Sequence, residues 1–105
     1  MPYQIRRSPQ ARADIRNFIR YLKKQASVDT ARKYFAELER DILFLIASTP
    51  NSFNWFHETG PPYRAKLFRL ARTTYWIVYV VDDENEVIEL VRFWNSAREP
   101  GTHGL

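Results

Sequence analysis

The chain has 105 residues, 45% of them apolar and 15% aromatic, with a formal net charge of +4 and no cysteine. That length fits one domain with a core of its own, burying roughly two-thirds of the surface an unfolded chain exposes. The absence of cysteine excludes disulfides and thiolate metal sites. The longest apolar runs, 42–47 and 75–81, fall far below the roughly 18 residues of a membrane span. The start, Met1-Pro2-Tyr3, has no apolar signal core. A cytoplasmic protein that does not enter the membrane is therefore expected, as a single domain over 1–105 with residues 98–105 as a tail.

Residues 3–7 read as a short first strand. Ser8-Pro9 then starts a helix: the serine can cap free amides, and proline fits a first turn where its missing N–H costs nothing. Ile15, Phe18, Ile19, Leu22 and Ala26 come next, at the spacing of one buried helix face. A second helix is expected from Val28 to Ser48, with the stripe Ala31, Phe35, Leu38, Ile42, Leu45 and Ile46. Asp29 near its start suits the helix dipole, and Pro50 ends it. The short link between the helices makes an antiparallel hairpin. Residues 51–63 form a loop broken by Gly60, Pro61 and Pro62, in which Phe53, Trp55 and Phe56 must find something to pack on.

Three strands are expected next, over about 64–70, 74–81 and 86–94. The middle one is apolar on both pleat faces, which predicts a central strand covered on both sides. The polar run 82–85 is its hairpin loop. The expected fold is α+β in the order βααβββ, a helical hairpin packed on a largely antiparallel four-stranded sheet.

Charge is unevenly distributed. Residues 1–49 carry twice as many basic as acidic side chains, and between Thr59 and Val81 there are Arg64, Lys66, Arg69 and Arg72 with no acid. Such a field favours an acidic partner, either nucleic acid or an acidic protein segment. On the first helix Arg12, Arg16, Arg20 and Lys24 succeed one another at i, i+4. Like charges at that spacing repel weakly, so the row is either a plain solvated face or a receiver for an acidic partner. Leu43 and Phe44 lie off the second helix's stripe. The expectation is that this helix end is buried all round beneath the 53–56 loop. The alternative joins them with Tyr34 in an exposed apolar patch that takes a partner or a second copy of the chain.

No known catalytic pattern is present. His57 and His103 sit in a loop and the tail without metal-ligand spacing. No serine elbow or glycine-rich phosphate loop occurs. Neither a metal nor a cofactor is expected.

Three stretches taken in order resemble the ParE/RelE superfamily of toxins from type II toxin–antitoxin modules. The first strand runs into Ser8-Pro9-Gln10-Ala11-Arg12-Ala13-Asp14-Ile15, similar to the family's helix start. Tyr75-Trp76-Ile77-Val78-Tyr79 resembles its tyrosine–arginine–aliphatic–aliphatic–tyrosine strand. The stretch from Val87 to Glu99 resembles the ParE-type last strand and its histidine–x–alanine–arginine–acid ending, with Asn95 in the histidine's place. The resemblance implies a growth-inhibiting toxin of a plasmid-stabilisation type, held inactive by a partly disordered or acidic antitoxin. ParE-type members poison DNA gyrase; RelE-type members cut messenger RNA on the ribosome.

For RNA cleavage the family implies a cationic set onto which Arg64, Lys66, Arg98 and, as a stand-in for a tail tyrosine, His103 fall. Arg64 and Lys66 share one strand face because side chains two apart point the same way. The set is incomplete, since the family's central-strand arginine falls on Trp76. Losing one such cation can cost two to three decades in rate. The sequence therefore favours a ParE-like inhibitor that acts by binding. A RelE-like endoribonuclease and a non-toxic antitoxin-binding remnant are the alternatives. For the binding surface the candidates are Arg12, Arg16, Arg20, Lys24, Tyr34, Leu43 and Phe44.

Overall fold

The computed structural model describes residues 2–70 and 72–97 together with Leu105. The chain runs β1 (Gln4–Arg7), α1 (Pro9–Gln25), α2 (Val28–Arg40), a π-helical segment (Asp41–Ile46), β2 (Tyr63–Leu70), β3 (Thr73–Asp82) and β4 (Val87–Asn95). The strands form one sheet in the order β1-β4-β3-β2. β1 lies parallel to β4, and the other two pairings are antiparallel. The expected α+β architecture, a helical hairpin on a largely antiparallel four-stranded sheet, is the one found.

Both helix starts are set by serines. Ser8 Oγ accepts from the Ala11 amide at 3.0 Å, and Ser27 Oγ accepts from Thr30 at the same distance. Each cap satisfies one of the amides a helix start leaves without an internal partner. Ser8 also ties α1 to the last strand: its amide donates to Leu90 O and its hydroxyl to Val91 O. The four-residue β1 stops there, and α1 takes over the edge of β4.

The main core lies between helices and sheet. Ile15, Phe18 and Leu22 of α1 and Leu38 of α2 meet Phe68, Tyr75, Ile77, Tyr79, Ile88, Leu90 and Phe93. Phe18 stands edge-on to both Tyr75 and Phe93, in the geometry that the ring quadrupoles favour. Tyr79 is fully enclosed and its hydroxyl donates to Pro50 O at 3.1 Å.

The second helix departs from the expected stripe. It passes at Asp41 into a π-helical segment whose wider turn changes the phase of the residues it carries. Ile42 and Ile46 stay buried, but Leu43, Phe44 and Leu45 emerge together, Phe44 being 67% exposed. Phe35 is likewise exposed, and the neighbouring Tyr34 packs on the core instead. The expected burial of Leu43 and Phe44 beneath the 53–56 loop does not form: the loop's Phe53 packs against the main core and its Phe56 lies across the sheet.

Phe56, unlike Phe53, packs on the far side of the sheet. Phe56 is 1% exposed and forms a second core with Ala65, Val78 and Trp94. Its ring stands 5.6 Å from both Trp76 and Trp94. The loop is pinned by Phe56 N donating to Tyr63 O and Ala65 N donating to Asn54 O. This second core explains why β3 is apolar on both faces, as the sequence predicts.

Candidate functional site

The helical hairpin separates its charges. Three acids of the helical layer turn toward the sheet, each to a cation on a different strand. Asp14 on α1 takes Arg92 Nε at 2.8 Å and the Phe93 amide at 2.9 Å. Glu39 on α2 is forked with Arg7 of β1. Asp41, opening the π-helical segment, accepts from Lys66 Nζ of β2 at 2.8 Å. All three pairs are largely screened from solvent, so each clamps a helix to the strand beneath it. Breaking such a pair costs far more than forming it gains, because one charge is stranded.

The outer surface of the hairpin keeps the cations. Arg12, Arg16, Arg20 and Lys24 are all exposed, as are Lys23 and Arg32 nearby. Two shallow hollows of about 330 and 270 Å³ lie along the crevice between α1 and α2, sharing Ile19, Lys23 and Phe35. Together they make one apolar trough, floored by Ile15 and Ala31 and edged by Arg16, Arg20, Lys23 and Arg32. The trough arises because α1 has apolar residues at i, i+4 beside cations at i+1, i+5: Ile15 and Ile19 next to Arg16 and Arg20. Such a surface suits an amphipathic segment with an apolar ridge and acidic flanks.

The other predicted binding residues divide. Tyr34 turns to the core, with Lys33 Nζ 5.6 Å from its ring centre. Leu43 and Phe44 turn to solvent at the π-helical segment. The three therefore do not make one patch.

Arg64 and Lys66 do share a face of β2, and it is the helix-covered face. Their cross-strand neighbours are Tyr79 and Ile77, both in the main core. Lys66 Nζ is held by Asp41 and also donates to Leu67 O at 3.0 Å. Arg64 donates to Phe53 O at 2.7 Å and lies against Trp55, 3.8 Å from the ring centre. Trp76, where the resemblance calls for arginine, lies on the opposite face and packs with Phe56 and His57. Arg98 and His103 lie outside the described residues. Among the described residues no group of three His, Asp or Glu side chains is placed to hold a metal. No described helix is long and apolar enough to cross a membrane.

Sequence reasoning missed the acids. Asp14, Glu39 and Asp41 read as ordinary helix charges, yet each takes the cation of a separate strand. A signal was present for Asp14: it lies one residue before Ile15 of the buried stripe, at the stripe's border.

A helical hairpin laid on a four-stranded sheet with this strand order, under a basic outer surface, is the architecture of a known class of small toxins. A family model described as the ParE toxin of the type II toxin–antitoxin system parDE matches residues 5–100, and the chain belongs to that family. In three dimensions it is similar to a chromosomal ParDE toxin–antitoxin system of P. aeruginosa, with TM-score 0.70 and 14% identity. That match covers 89% of this chain and 95% of the other. It is also similar to the RelBE2 toxin–antitoxin complex of Mycobacterium tuberculosis, with TM-score 0.61, 19% identity, and 93% and 95% of the two chains covered. The toxin RelE of E. coli, as a mutant in the free state, gives TM-score 0.59 at 18% identity over 92% of this chain and 86% of that one. No curated protein matches in sequence.

Proposed function

We propose that this toxin acts by binding rather than by chemistry, inhibiting DNA gyrase in the cytoplasm, and that a cognate antitoxin neutralises it by laying an acidic amphipathic segment in the α1–α2 trough. The observation that carries the first half is the state of Arg64 and Lys66. A cation that stabilises a phosphorane must face the phosphate and be free to do so. Lys66 is instead neutralised by Asp41 under the helical layer, and Arg64 is stacked on Trp55 with a backbone carbonyl as its partner. Trp76 supplies no charge from the central strand. The segregation of charge supports the second half, since three inward acids leave the cations of the outer surface well in excess of its remaining acids, Asp29 and Glu37.

The test runs purified toxin in a gyrase supercoiling assay and in a translating ribosome system in parallel. Loss of supercoiling with intact messenger RNA is expected. Ribosomal cleavage that disappears in Lys66→Ala, with gyrase unaffected, overturns the proposal in favour of a RelE-like nuclease. For the trough, Arg16→Glu with Arg20→Glu is expected to weaken antitoxin binding about tenfold or more at low salt and to flatten its salt dependence. Unchanged affinity removes the trough as the antitoxin site.

A further inference from the structure

A different cleft, at the end of the molecule where α1 crosses the tips of β3 and β4, is built like a ligand site. It has a volume of about 420 Å³, within the range of small-molecule pockets. Its apolar wall is formed by Phe18, Tyr75 and Phe93, with the last two rings stacked nearly parallel. Polar groups converge on it from three elements: Asn17 and Tyr21 from α1, Thr73 from the start of β3, and Asn95 from the end of β4.

Several of these groups lack protein partners among the described residues. Tyr75 is 8% exposed, yet its hydroxyl makes no hydrogen bond there, whereas the Tyr21 hydroxyl, on a side chain 56% exposed, is open to solvent at the rim. Burial first, and the neighbouring Tyr21 second, push the Tyr75 phenol above its ordinary value, and both side chains line the cleft. Asn95, which lines the cleft, accepts from Ala97 N through its carbonyl, and its amino group makes no hydrogen bond among the described residues. Asn17 uses its carbonyl on Arg20. Of these groups Tyr75 is the buried one, and a buried polar group without a partner costs free energy and marks a place where something else supplies the bond.

The balance of charge selects the ligand. Among the described residues the cleft has one ionised wall group, Asp14, and Arg92 matches it. An added unit charge gains no counter-charge there and still loses its hydration. Neutral donors at Tyr75, Asn17 and Asn95 call for carbonyl acceptors. Asp14 Oδ1, which accepts from Arg92 at 3.2 Å, has a lone pair left for an N–H. Adjacent C=O and N–H groups on a flat body describe a cyclic amide. The remaining volume accommodates a polar substituent about the size of a sugar.

We infer that this cleft binds a neutral, planar cyclic amide of nucleoside size, held by Tyr75, Asn17 and Asn95 and packed against Phe18 and Phe93. Such binding goes beyond the proposed mode of toxicity and does not depend on the gyrase reading. The same base chemistry comes from two sources, a free nucleoside or a base presented by a single strand.

The experiment titrates the isotope-labelled full chain, by NMR, with uridine, inosine, ribose alone and a short oligouridine. Uridine or inosine is expected to shift the side-chain amide signals of Asn17 and Asn95, with a dissociation constant on the order of 0.1–1 mM for a ligand of this size. Tyr75→Phe, which deletes only the unpartnered hydroxyl, should melt no lower than the parent and bind about three- to tenfold more weakly. Asn17→Ala, at an exposed helix position, should do the same. Binding of the oligonucleotide alone, weakened by both substitutions, assigns the source as a strand and upholds the inference. It is overturned by any of three results: no shift with any probe at about 10 mM, equal shifts with ribose alone, or affinities that neither substitution changes.

Discussion

The two faces of the sheet are covered by different means, and the difference explains where this molecule can be altered. On one face two helices bring a large contiguous core and three ion pairs, one to each of β1, β2 and β4. On the other a single loop brings one fully buried ring, Phe56, into a small cluster with Ala65, Val78 and Trp94. The helical cover is redundant, because many side chains share the burial. The loop cover rests on one residue and a few backbone hydrogen bonds. A small core closed by one side chain has little capacity to compensate when that side chain is cut back.

The largest effect should therefore come from Phe56→Ala. It empties the space between Trp76 and Trp94 and is expected to cost about 3–5 kcal/mol in urea unfolding. The tryptophan fluorescence of the folded state should shift red as water reaches both indoles. A cost under about 1 kcal/mol would mean the loop does not hold this face.

The ion pairs test the other cover. Asp14→Ala removes the carboxylate that accepts from both Arg92 and the Phe93 amide, and about 3 kcal/mol should be lost. If the charge itself is dispensable, the double substitution Asp14→Leu with Arg92→Met should recover most of that loss. A double variant as unstable as the single one would show that shape rather than charge is at stake.

A smaller effect appears at alkaline pH. Burial pushes the Tyr79 phenol up to about 12, above the value of 10.0 expected of an exposed tyrosine. Because the folded-state value is the higher one, this contribution to stability is intact below pH 10 and is lost as pH rises toward about 12. Unfolding midpoints should fall through that window by the equivalent of about 1–3 kcal/mol. Tyr79→Phe should show a shallower slope, with Tyr75, raised in the same direction, accounting for part of what remains.

The smallest effect on stability is expected for Arg16→Ala with Arg20→Ala. Both are exposed on the outer row, and removing like charges at i, i+4 should change stability by no more than about 0.5 kcal/mol. Their value to the protein would then lie in what they bind.

Most of the fold was legible from local rules. The Ser8-Pro9 start, the α1 stripe and the doubly apolar β3 each obey a short-range pattern, and the structure obeys them too. The segment after Arg40 was not legible, because Leu43, Phe44 and Leu45 fit a helix buried all round as well as they fit a π-helical segment. The choice depends on the layer beneath, where Asp41 meets Lys66. The parity of β2 gave Arg64 and Lys66 a common face but could not say which face the helices would cover. The 53–56 aromatics demanded a partner, and only the tertiary fold showed that Phe56 finds Trp76 and Trp94. The outer cationic row was plain in the spacing. The trough beside it needed both helices in place.

The pairing of β1 with β4 has a temporal side. Besides the Arg7–Glu39 pair, the first strand and the start of α1 find their strand-side partners in residues 86–93: Gln4 beside Val87, Ser8 against Leu90 and Val91, Asp14 against Arg92 and Phe93. Contacts of such long sequence separation form late and slowly. On a ribosome the first strand is made early, yet β4, which it pairs with, is the last of the described elements to follow. A chain released before β4 therefore lacks the sheet edge that seats β1 and the start of α1.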